Sequence, residues 1–395
     1  MLSYIIGESE SYLFSVGRDD DLRVRTLPIG ETELRQWIQK FRGLIAEARP
    51  GTVLAELRAA ERYRVSKELY NLLVAPAADR IEKADRVLIV ADGPLHYLPF
   101  AALVREVPGE GGHLQGQYLA EWKPFHSMLS ATVYAEIKKD RRDPSKAPES
   151  VPLLLGAFGD PRLPPGFPGK TPEQIIDIRV RSAVRRGILN FEPLPSTRRE
   201  VEGIAALFPP EQVAIFLGAE ATEERAKAIG KGARILHFAT HARLDELFPL
   251  NSALVLTMPE GFPEDRDNGL LQVWEIFERV RLDADLVVLS ACDTGLGEEQ
   301  GGEGLIGLTR AFQYAGARTV MASLWSVQDQ ATSELMIRFY KHLRAGLSKD
   351  EALRQAQTEL IRGPIEVVNE NGEKTLLDAS APYFWAGFQL YGDWQ

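Results

Sequence analysis

A histidine and the only cysteine of the chain have the residue types and the spacing of a nucleophilic pair. His241 follows the apolar run 235–240 and Cys292 follows the apolar run 286–291, so 51 positions (292 − 241) separate them. A cysteine attacks a carbonyl carbon as its thiolate, and an adjacent imidazole can take the thiol proton and return it to a leaving amine. The pair therefore predicts a hydrolase in which His241 is the general base and Cys292 the nucleophile.

Buried strands separated by helices must hold such a pair in place. The strand candidates of the C-terminal part are Val151–Ala157, Val213–Leu217, Ile235–Thr240, Ala253–Thr257, Leu286–Ala291 and Thr319–Leu324. Runs that are apolar throughout are typical of a mostly parallel sheet covered by helices on both faces, and such sheets carry their sites beyond the carboxyl ends of the strands. The sequence therefore predicts an α/β fold in which His241 and Cys292 end neighbouring strands.

Two of the intervening helices begin at residues that favour a helix start. Thr197 is followed three residues later by Glu200, which predicts a capping box. Thr222 precedes Glu223 and Glu224, and acidic side chains in a first turn are favoured by the helix dipole. Both starts lie between strand candidates, as the α/β pattern requires.

A charged segment with two prolines, residues 138–150, divides the chain. We predict an N-terminal domain over residues 1–145 and a C-terminal domain over residues 146–395. The N-terminal part contains strand-like stretches, two helical stretches near Thr32–Glu47 and Ala59–Leu73, and a buried strand within Arg86–Gly93.

A lone cysteine in an apolar strand is more often a small core residue, and a histidine at a strand end is more often structural. The combination of matching strand ends, chain order and a spacing near fifty residues is typical of caspase-like proteases and favours the dyad. A tetrahedral intermediate also needs donors for its oxyanion. The backbone N–H groups of Cys292 and Ala242 are the predicted donors.

Several runs of the chain resemble the CHAT domain, a branch of the caspase, separase and gingipain group of clan CD cysteine proteases. The runs are Ala91–Leu103, Leu194–Glu200, His237–Ala242, Leu289–Gly295 and Ala322–Thr332. The resemblance implies a caspase-like three-layer α/β/α domain, preceded by a smaller pseudo-caspase-like subdomain. It also implies cysteine endopeptidase activity with His241 as base and Cys292 as nucleophile.

The resemblance further implies which residues contact a substrate. Ser323, Trp325 and Ser326 are expected beside the substrate backbone, and Ser290, two residues before the cysteine, is expected in the first specificity pocket. Trp325 is equally well explained as a buried aromatic residue beneath the site.

Acidic residues near the predicted site have two explanations each. Because Ser290 is neutral, Asp160 or Asp293 could supply charge to the first pocket, and Asp329 could contact the substrate. Asp160 is somewhat better explained as a turn residue before Pro161, and Asp329 as a helix cap. We therefore predict no residue preference at the cut.

Composition excludes several other classes. The net charge of −10 argues against a nucleic-acid ligand, and no apolar run reaches the roughly 18 residues that span a bilayer. A phosphate loop at Gly169–Thr171 fails because Pro164 stands at the first glycine position, and a zinc motif fails because Phe238 stands where a glutamate is required. No metal and no cofactor are predicted, and the single cysteine fits a reducing, cytoplasmic compartment.

The predicted partners are a protein substrate and a regulatory protein acting in trans. The resemblance implies a sensor module joined to the protease, and this sequence has no internal repeat that would form one. The alternative prediction is a catalytically idle scaffold of the same fold, because folds of this kind persist after losing activity.

Overall fold

The structure is a computed structural model that describes residues 1–17, 21–46, 53–107, 117–142, 153–163, 194–245, 247–259, 267–293, 303–325, 327, 329–368 and 373–395. The chain forms two compact units: unit 1 comprises Met1–Ala147 with Glu334–Gln395, and unit 2 comprises Pro148–Ser333. The predicted boundary between residues 145 and 146 lies within two residues of the end of the first segment. The prediction placed residues 334–395 with the C-terminal domain, whereas they group with unit 1.

The first segment of unit 1 contains both strands and helices and begins with three consecutive strands. Its strands are β1 (Leu2–Ile6), β2 (Ser11–Val16), β3 (Leu22–Leu27), β4 (Val87–Val90), β5 (Val104–Glu106), β6 (Gln117–Tyr118) and β7 (Phe125–Met128). Its helices are α1 (Glu31–Ala46), α2 (Val53–Leu73), α3 (Ala78–Glu82), α4 (Leu119–Trp122) and α5 (Ala131–Arg142). Strands β1, β4 and β7 pair in parallel, and β2 and β3 continue the sheet antiparallel from β1.

Unit 2 contains the strands that end at the predicted dyad. Its strands are β8 (Leu153–Pro161), β9 (Val213–Gly218), β10 (Ala233–Arg243), β11 (Ala253–Val255), β12 (Leu270–Gln272), β13 (Leu286–Asp293) and β14 (Thr319–Ser323). Its helices are α6 (Pro195–Ala205), α7 (Glu223–Ala228), α8 (Val273–Arg279) and α9 (Glu303–Ala315).

The rest of the chain lies mostly in unit 1. Helix α10 (Asp329–Arg344) contains the boundary between the units, and it is followed by α11 (Lys349–Ile361), β15 (Ile365–Val368), β16 (Lys374–Leu377), α12 (Pro382–Trp385) and β17 (Phe388–Gly392). Among the helices of the described ranges, none combines the length and the apolar character needed to cross a membrane.

The sheet of unit 2 is mostly parallel, which confirms the predicted fold class. Five strands in the order β9-β8-β10-β13-β14 run parallel to one another. The chain goes from β8 outward to β9 and then crosses to β10, so the direction of winding reverses between β8 and β10. In open α/β sheets, ligands bind beyond the carboxyl ends of the strands at such a reversal.

Aromatic residues fill the layer on one face of this sheet. The rings of Phe216, Phe158 and Phe238, on three adjacent strands, stack with centroid separations of 4.7 and 5.0 Å. Phe312 of α9 lies 5.8 Å from Phe238. Because alternate residues of a strand point to opposite faces, Phe238 and His241 belong to different faces. Helix α9 therefore covers the face of the sheet opposite to the face that carries His241.

Helix α6 covers the face of His241, and a glycine permits its close approach. A Cβ atom at Gly159 of β8 would lie 2.8 Å from Cγ2 of Val201 and 3.1 Å from the carbonyl oxygen of Thr197. Gly159 is aligned with Ala239 of β10, two residues before His241. Any larger side chain at this position would push α6 away from the sheet.

The two predicted helix starts had different outcomes. At α7 the prediction is confirmed, because Thr222 is the N-cap and its Oγ1 accepts a hydrogen bond from the Arg225 amide. At α6 the capping box is wrong, because the helix begins at Pro195 and Leu194 is its N-cap. Glu200 instead makes a contact with a distant strand, described below.

Candidate active site

The backbone register places the two predicted catalytic residues side by side. Strands β10 and β13 are parallel neighbours, and His241 is the Cα partner of Cys292. Neighbouring strands lie about 4.8 Å apart, so these two backbone positions are adjacent. Only two residues of β10 and one residue of β13 follow them before the strands end. The pair is therefore at the carboxyl edge of the sheet, where parallel sheets carry their sites.

Strand β11 fixes the end of β10 from the other side. His241 and Ala242 are aligned antiparallel with Val255 and Leu254, and the Thr240 hydroxyl donates a hydrogen bond to the Val255 carbonyl. Ala242 is also aligned with a residue of β13, so its N–H faces one of two neighbouring strands. The last residues of β10 are thus held by strand pairing on both sides.

A buried carboxylate contacts the same strand four residues before His241. The Nε2 atom of His237 lies 2.8 Å from Oε1 of Glu200, and the two side chains are 0% and 1% exposed. His237 and His241 share one face of β10, because four is an even number of residues. His241 itself is 3% exposed. The contact joins α6 to the strand of the predicted base.

Sequence reasoning missed this contact. Its only signal was that Leu194–Glu200 and His237–Ala242 were two of the runs that resemble one family. The two runs meet in space through Glu200 and His237.

The start of α6 also fixes Asp160 at the end of β8. The Asp160 amide donates to Oγ1 of Thr197, which in turn donates to the Leu194 carbonyl. Asp160 has a φ of 47°, in the left-handed region that asparagine and aspartate tolerate better than most residues. Arg198 donates from Nε and Nη2 to the same Asp160 oxygen, at 2.9 and 2.6 Å. The carboxylate proposed for the first pocket is therefore paired with a cation of the same chain.

The remaining predicted site residues are described to different extents. Ser290 is buried on β13, two residues before Cys292, and its hydroxyl has no hydrogen-bond partner among the described residues. Ser323 is buried at the end of β14, and its hydroxyl donates to the Trp325 carbonyl at 2.8 Å. The structure describes only the backbone of Cys292, Asp293 and Asp329, and Ser326 lies outside the described residues. Asp329 is the first residue of α10.

An acidic cluster elsewhere in unit 2 has a cation of its own. Carboxylate oxygens of Glu223, Asp267 and Glu275 lie within 4.8 Å of one another, which is the spacing of possible metal ligands. The Lys227 ammonium donates to all three carboxylates. Burial raises the pKa of Glu223 to about 7; the hydrogen bond from Lys227 opposes this shift, and the nearby charge of Glu275 adds to it. The lysine takes the place a metal ion would need, so this cluster joins α7, α8 and residue 267 as an ion-pair network.

The sequence that forms this site matches a known protein family. The model of the CHAT domain matches residues 63–393, most of the chain. This chain belongs to the CHAT-domain family. The resemblance noted from its sequence runs is thereby confirmed, and the match includes His241, Cys292, all of unit 2 and the part of unit 1 from residue 63 to residue 393.

Two curated relatives match the CHAT chain. Tetratricopeptide repeat protein 28 of Homo sapiens is 26% identical over 367 residues, which is 82% of this chain and 13% of that protein. Its counterpart in Mus musculus is 26% identical over 394 residues, which is 89% of this chain and 14% of that protein. The CHAT chain thus spans a small fraction of the length of these relatives.

Solved structures also match the CHAT chain. The separase–securin complex of Saccharomyces cerevisiae aligns with a TM-score of 0.39 and 10% identity, over 95% of this chain and 21% of that chain. The Arg-specific cysteine proteinase gingipain R aligns with a TM-score of 0.40 and 10% identity, over 92% of this chain and 74% of that chain.

Proposed function

We propose that this protein is a cysteine endopeptidase whose catalytic pair is His241 and Cys292. The observation that carries the proposal is the register of β10 and β13, in which these residues are direct neighbours at the carboxyl edge of a parallel sheet. The reversal of winding between β8 and β10, next to His241, supports the same edge as the binding site. Membership of the CHAT-domain family supports it independently.

In the proposed reaction, the imidazole of His241 takes the proton of the Cys292 thiol, and the thiolate sulfur bonds to the carbonyl carbon of the scissile peptide. The tetrahedral intermediate collapses when its C–N bond breaks and the leaving amine takes the proton from the imidazolium. A thioester acyl-enzyme remains. Water, deprotonated by His241, then attacks the thioester carbonyl; the C–S bond breaks, the acid product leaves, and the imidazolium returns its proton to the Cys292 thiolate.

The proposed oxyanion donors are the backbone N–H groups of Cys292 and Ala242. Ala242 is the weaker candidate of the two, because its N–H faces a neighbouring strand. Proposed substrate contacts come from Ser290, Asp293, Ser323, Trp325, Ser326 and Asp329. Asp160 belongs to the proposed substrate contacts only if a substrate displaces Arg198, because the Arg198 guanidinium pairs with the Asp160 carboxylate.

Regulation by a partner protein or by assembly is part of the proposal. His241 is only 3% exposed, so a substrate reaches the imidazole only after the residues around it move. A partner that binds the open form better than the closed form would raise the active fraction by population shift. The protein substrate and a regulatory protein in trans are the proposed partners.

A catalytically idle scaffold is the second candidate. The burial of His241 is also what a structural histidine would show, and the names of the curated relatives refer to repeats and not to catalysis. A scaffold would bind its partner equally well after Cys292→Ala.

The test is intact-mass spectrometry after incubation with a panel of peptidyl acyloxymethyl ketones that vary at the residue next to the reactive group. We expect addition of one probe at Cys292, a large loss of labelling in His241→Ala, and none in Cys292→Ala. His237→Gln is a useful control, because it changes the neighbouring histidine of the same strand face. Labelling that is equally fast in His241→Ala would refute the dyad.

A further inference from the structure

The loop between β10 and β11 presents three large apolar side chains to solvent. Leu247, Phe248 and Leu250 are 86%, 66% and 56% exposed. They lie six to nine positions after His241, in the loop that follows its strand. Three large exposed apolar side chains within four consecutive positions are candidates for an interaction site.

Hydrogen bonds fix the backbone of residues 247–252 and connect it to Asp245. The Asp245 amide donates to Oγ of Ser252, and the Phe248 amide donates to the Asp245 carboxylate. The Asn251 amide donates to the Phe248 carbonyl, and residues Pro249–Asn251 form a single 3-10 turn. The side chains are therefore presented by an ordered backbone, which lowers the entropic cost of binding a ligand there.

Described residues that follow each member of the predicted dyad in the sequence lie against this loop. On the side of His241, the Arg243 guanidinium at the end of β10 donates to the Asn251 carbonyl at 3.3 Å. On the side of Cys292, a Cβ atom at Gly304 in the first turn of α9 would lie 2.7 Å from Oγ of Ser252. The loop thus lies beside the catalytic edge, between the strand of the base and the helix that follows the nucleophile.

The size of the patch decides between possible occupants. Three side chains of this kind expose a few hundred Å² at most, since a large aromatic residue contributes about 150–250 Å². Each partner of a standard protein–protein interface buries about 800 Å². The patch is therefore too small for a second copy of the chain alone, and it suits two or three residues of a peptide.

We propose that Leu247, Phe248 and Leu250 form an apolar subsite for the protein substrate, beside the scissile bond. The inference rests on the proposed peptidase function, because the occupant is the segment that continues from the dyad. It names the substrate class: an extended polypeptide with an apolar residue, such as leucine or phenylalanine, a few positions from the cut.

The test uses a binding readout that needs no catalysis. An array of 15-residue peptides is probed with the full-length Cys292→Ala protein, and the affinities of the best peptides are measured by fluorescence anisotropy. We expect bound peptides to share a leucine or phenylalanine at a fixed position. The variant Leu247→Ser/Phe248→Ser/Leu250→Asn, made in the same background, should bind them about 10- to 100-fold more weakly, as expected for exposing buried apolar side chains.

Leu376→Ser is the matched control, because Leu376 is also an exposed leucine, at 74%, and lies in unit 1. It should leave binding unchanged. Peptides bound without apolar enrichment, or bound equally well by the triple variant, would overturn the subsite. A dimer of the wild-type chain that the triple variant abolishes would also overturn it, because the face would then serve a second copy.

Failure of the dyad has a different signature. If acyloxymethyl ketones do not label Cys292 while apolar peptides still bind and depend on the loop, the subsite stands as a peptide-binding surface and the peptidase proposal falls. If labelling by short probes is normal in the triple variant and peptide binding is unaffected, the dyad stands and the subsite falls.

Discussion

Each unit of the molecule contains a pair of parallel neighbouring strands, but the residues at the carboxyl ends differ. In unit 1, β4 and β7 end with Val90 aligned with Met128. In unit 2, His241 is aligned with Cys292 near the carboxyl ends of β10 and β13. The same backbone arrangement thus carries two apolar side chains in one unit and two groups capable of acid–base and nucleophilic chemistry in the other. A parallel pair supplies a place for a site, and the residues at its end decide whether one exists.

Unit 1 also has a strand histidine, but its position suits a structural role. His126 is the second residue of β7, aligned with Leu88 and buried within the unit. Its Nδ1 lies 3.4 Å from the buried Asp350 carboxylate, which also accepts hydrogen bonds from Arg86 at 2.7 and 2.6 Å. The imidazole therefore packs beside the buried Arg86–Asp350 ion pair at the start of α11.

Replacing each histidine by alanine separates the two roles and has the largest expected effect. We expect His241→Ala to lower kcat/KM for a peptide substrate at least 1,000-fold, because it removes the general base. His126→Ala should change the activity of the folded fraction less than about 3-fold, since no reacting group depends on it. A fluorogenic peptide assay on both variants measures this, with circular dichroism to count folded protein. Comparable losses of activity in the two folded variants would break the comparison.

Removing the buried Asp350 carboxylate of unit 1 should lower the free energy of unfolding and leave the catalytic activity of the folded protein unchanged. Asp350→Ala leaves the Arg86 guanidinium without its carboxylate partner, and we expect the free energy of unfolding to fall by about 3 kcal/mol. Urea unfolding measures it. Glu351→Ala is the control, because that carboxylate pairs with Arg354 near the surface and should contribute no more than about 1 kcal/mol. Equal effects of the two variants would contradict the structural role given to the Arg86–Asp350 ion pair.

The two units should respond to acid in opposite directions. Burial lowers the pKa of His126 below 6.5, against the opposing effect of Asp350, so the unfolded state takes up a proton more readily and unit 1 loses stability as pH falls through 6.5. Burial raises the pKa of Glu223 from 4.5 to about 7, so the folded state binds the extra proton and unit 2 gains stability between pH 7 and 4.5.

Segment-resolved hydrogen exchange at pH 7.5 and 5.5, corrected for intrinsic rates, measures both responses. Protection of α7 and β12 should increase by up to about 2 kcal/mol on acidification, and protection of β7 should decrease by less. In Glu223→Gln the gain in unit 2 should vanish. A loss of protection in α7 at the lower pH would reverse the sign and refute the assignment.

Local patterns in the sequence predicted the strands and the edge that carries the dyad. The mostly apolar runs before His241 and Cys292 became β10 and β13, since a strand buried on both faces has few polar positions. The register that aligns the two residues follows from pairing over eight positions, which no local pattern specifies. The N-cap at Thr222 was predictable because capping is a contact within one turn.

Contacts between distant segments were beyond such patterns. Glu200 stands at the right spacing for a capping box, but its carboxylate pairs with His237, 37 positions away. Arg198 pairs with Asp160 across a similar distance, which changes the charge expected in the first pocket. For the same reason, the grouping of residues 334–395 with unit 1 could not be read from the charged segment at 138–150. Side-chain chemistry limits the possible partners of such a residue, and only the tertiary fold selects one.

The most direct measurement of the central claim is the rate of Cys292 alkylation by iodoacetamide from pH 5 to 9, in the wild type and in His241→Ala. The chain has a single cysteine, so every alkylated molecule reports this position. A thiol coupled to an imidazole reacts well below the midpoint near pH 8.5 of a free thiol. We expect such a low midpoint in the wild type and a return to about 8.5 in His241→Ala. Identical profiles in the two proteins would contradict it, because Cys292 would then be a cysteine that His241 does not activate.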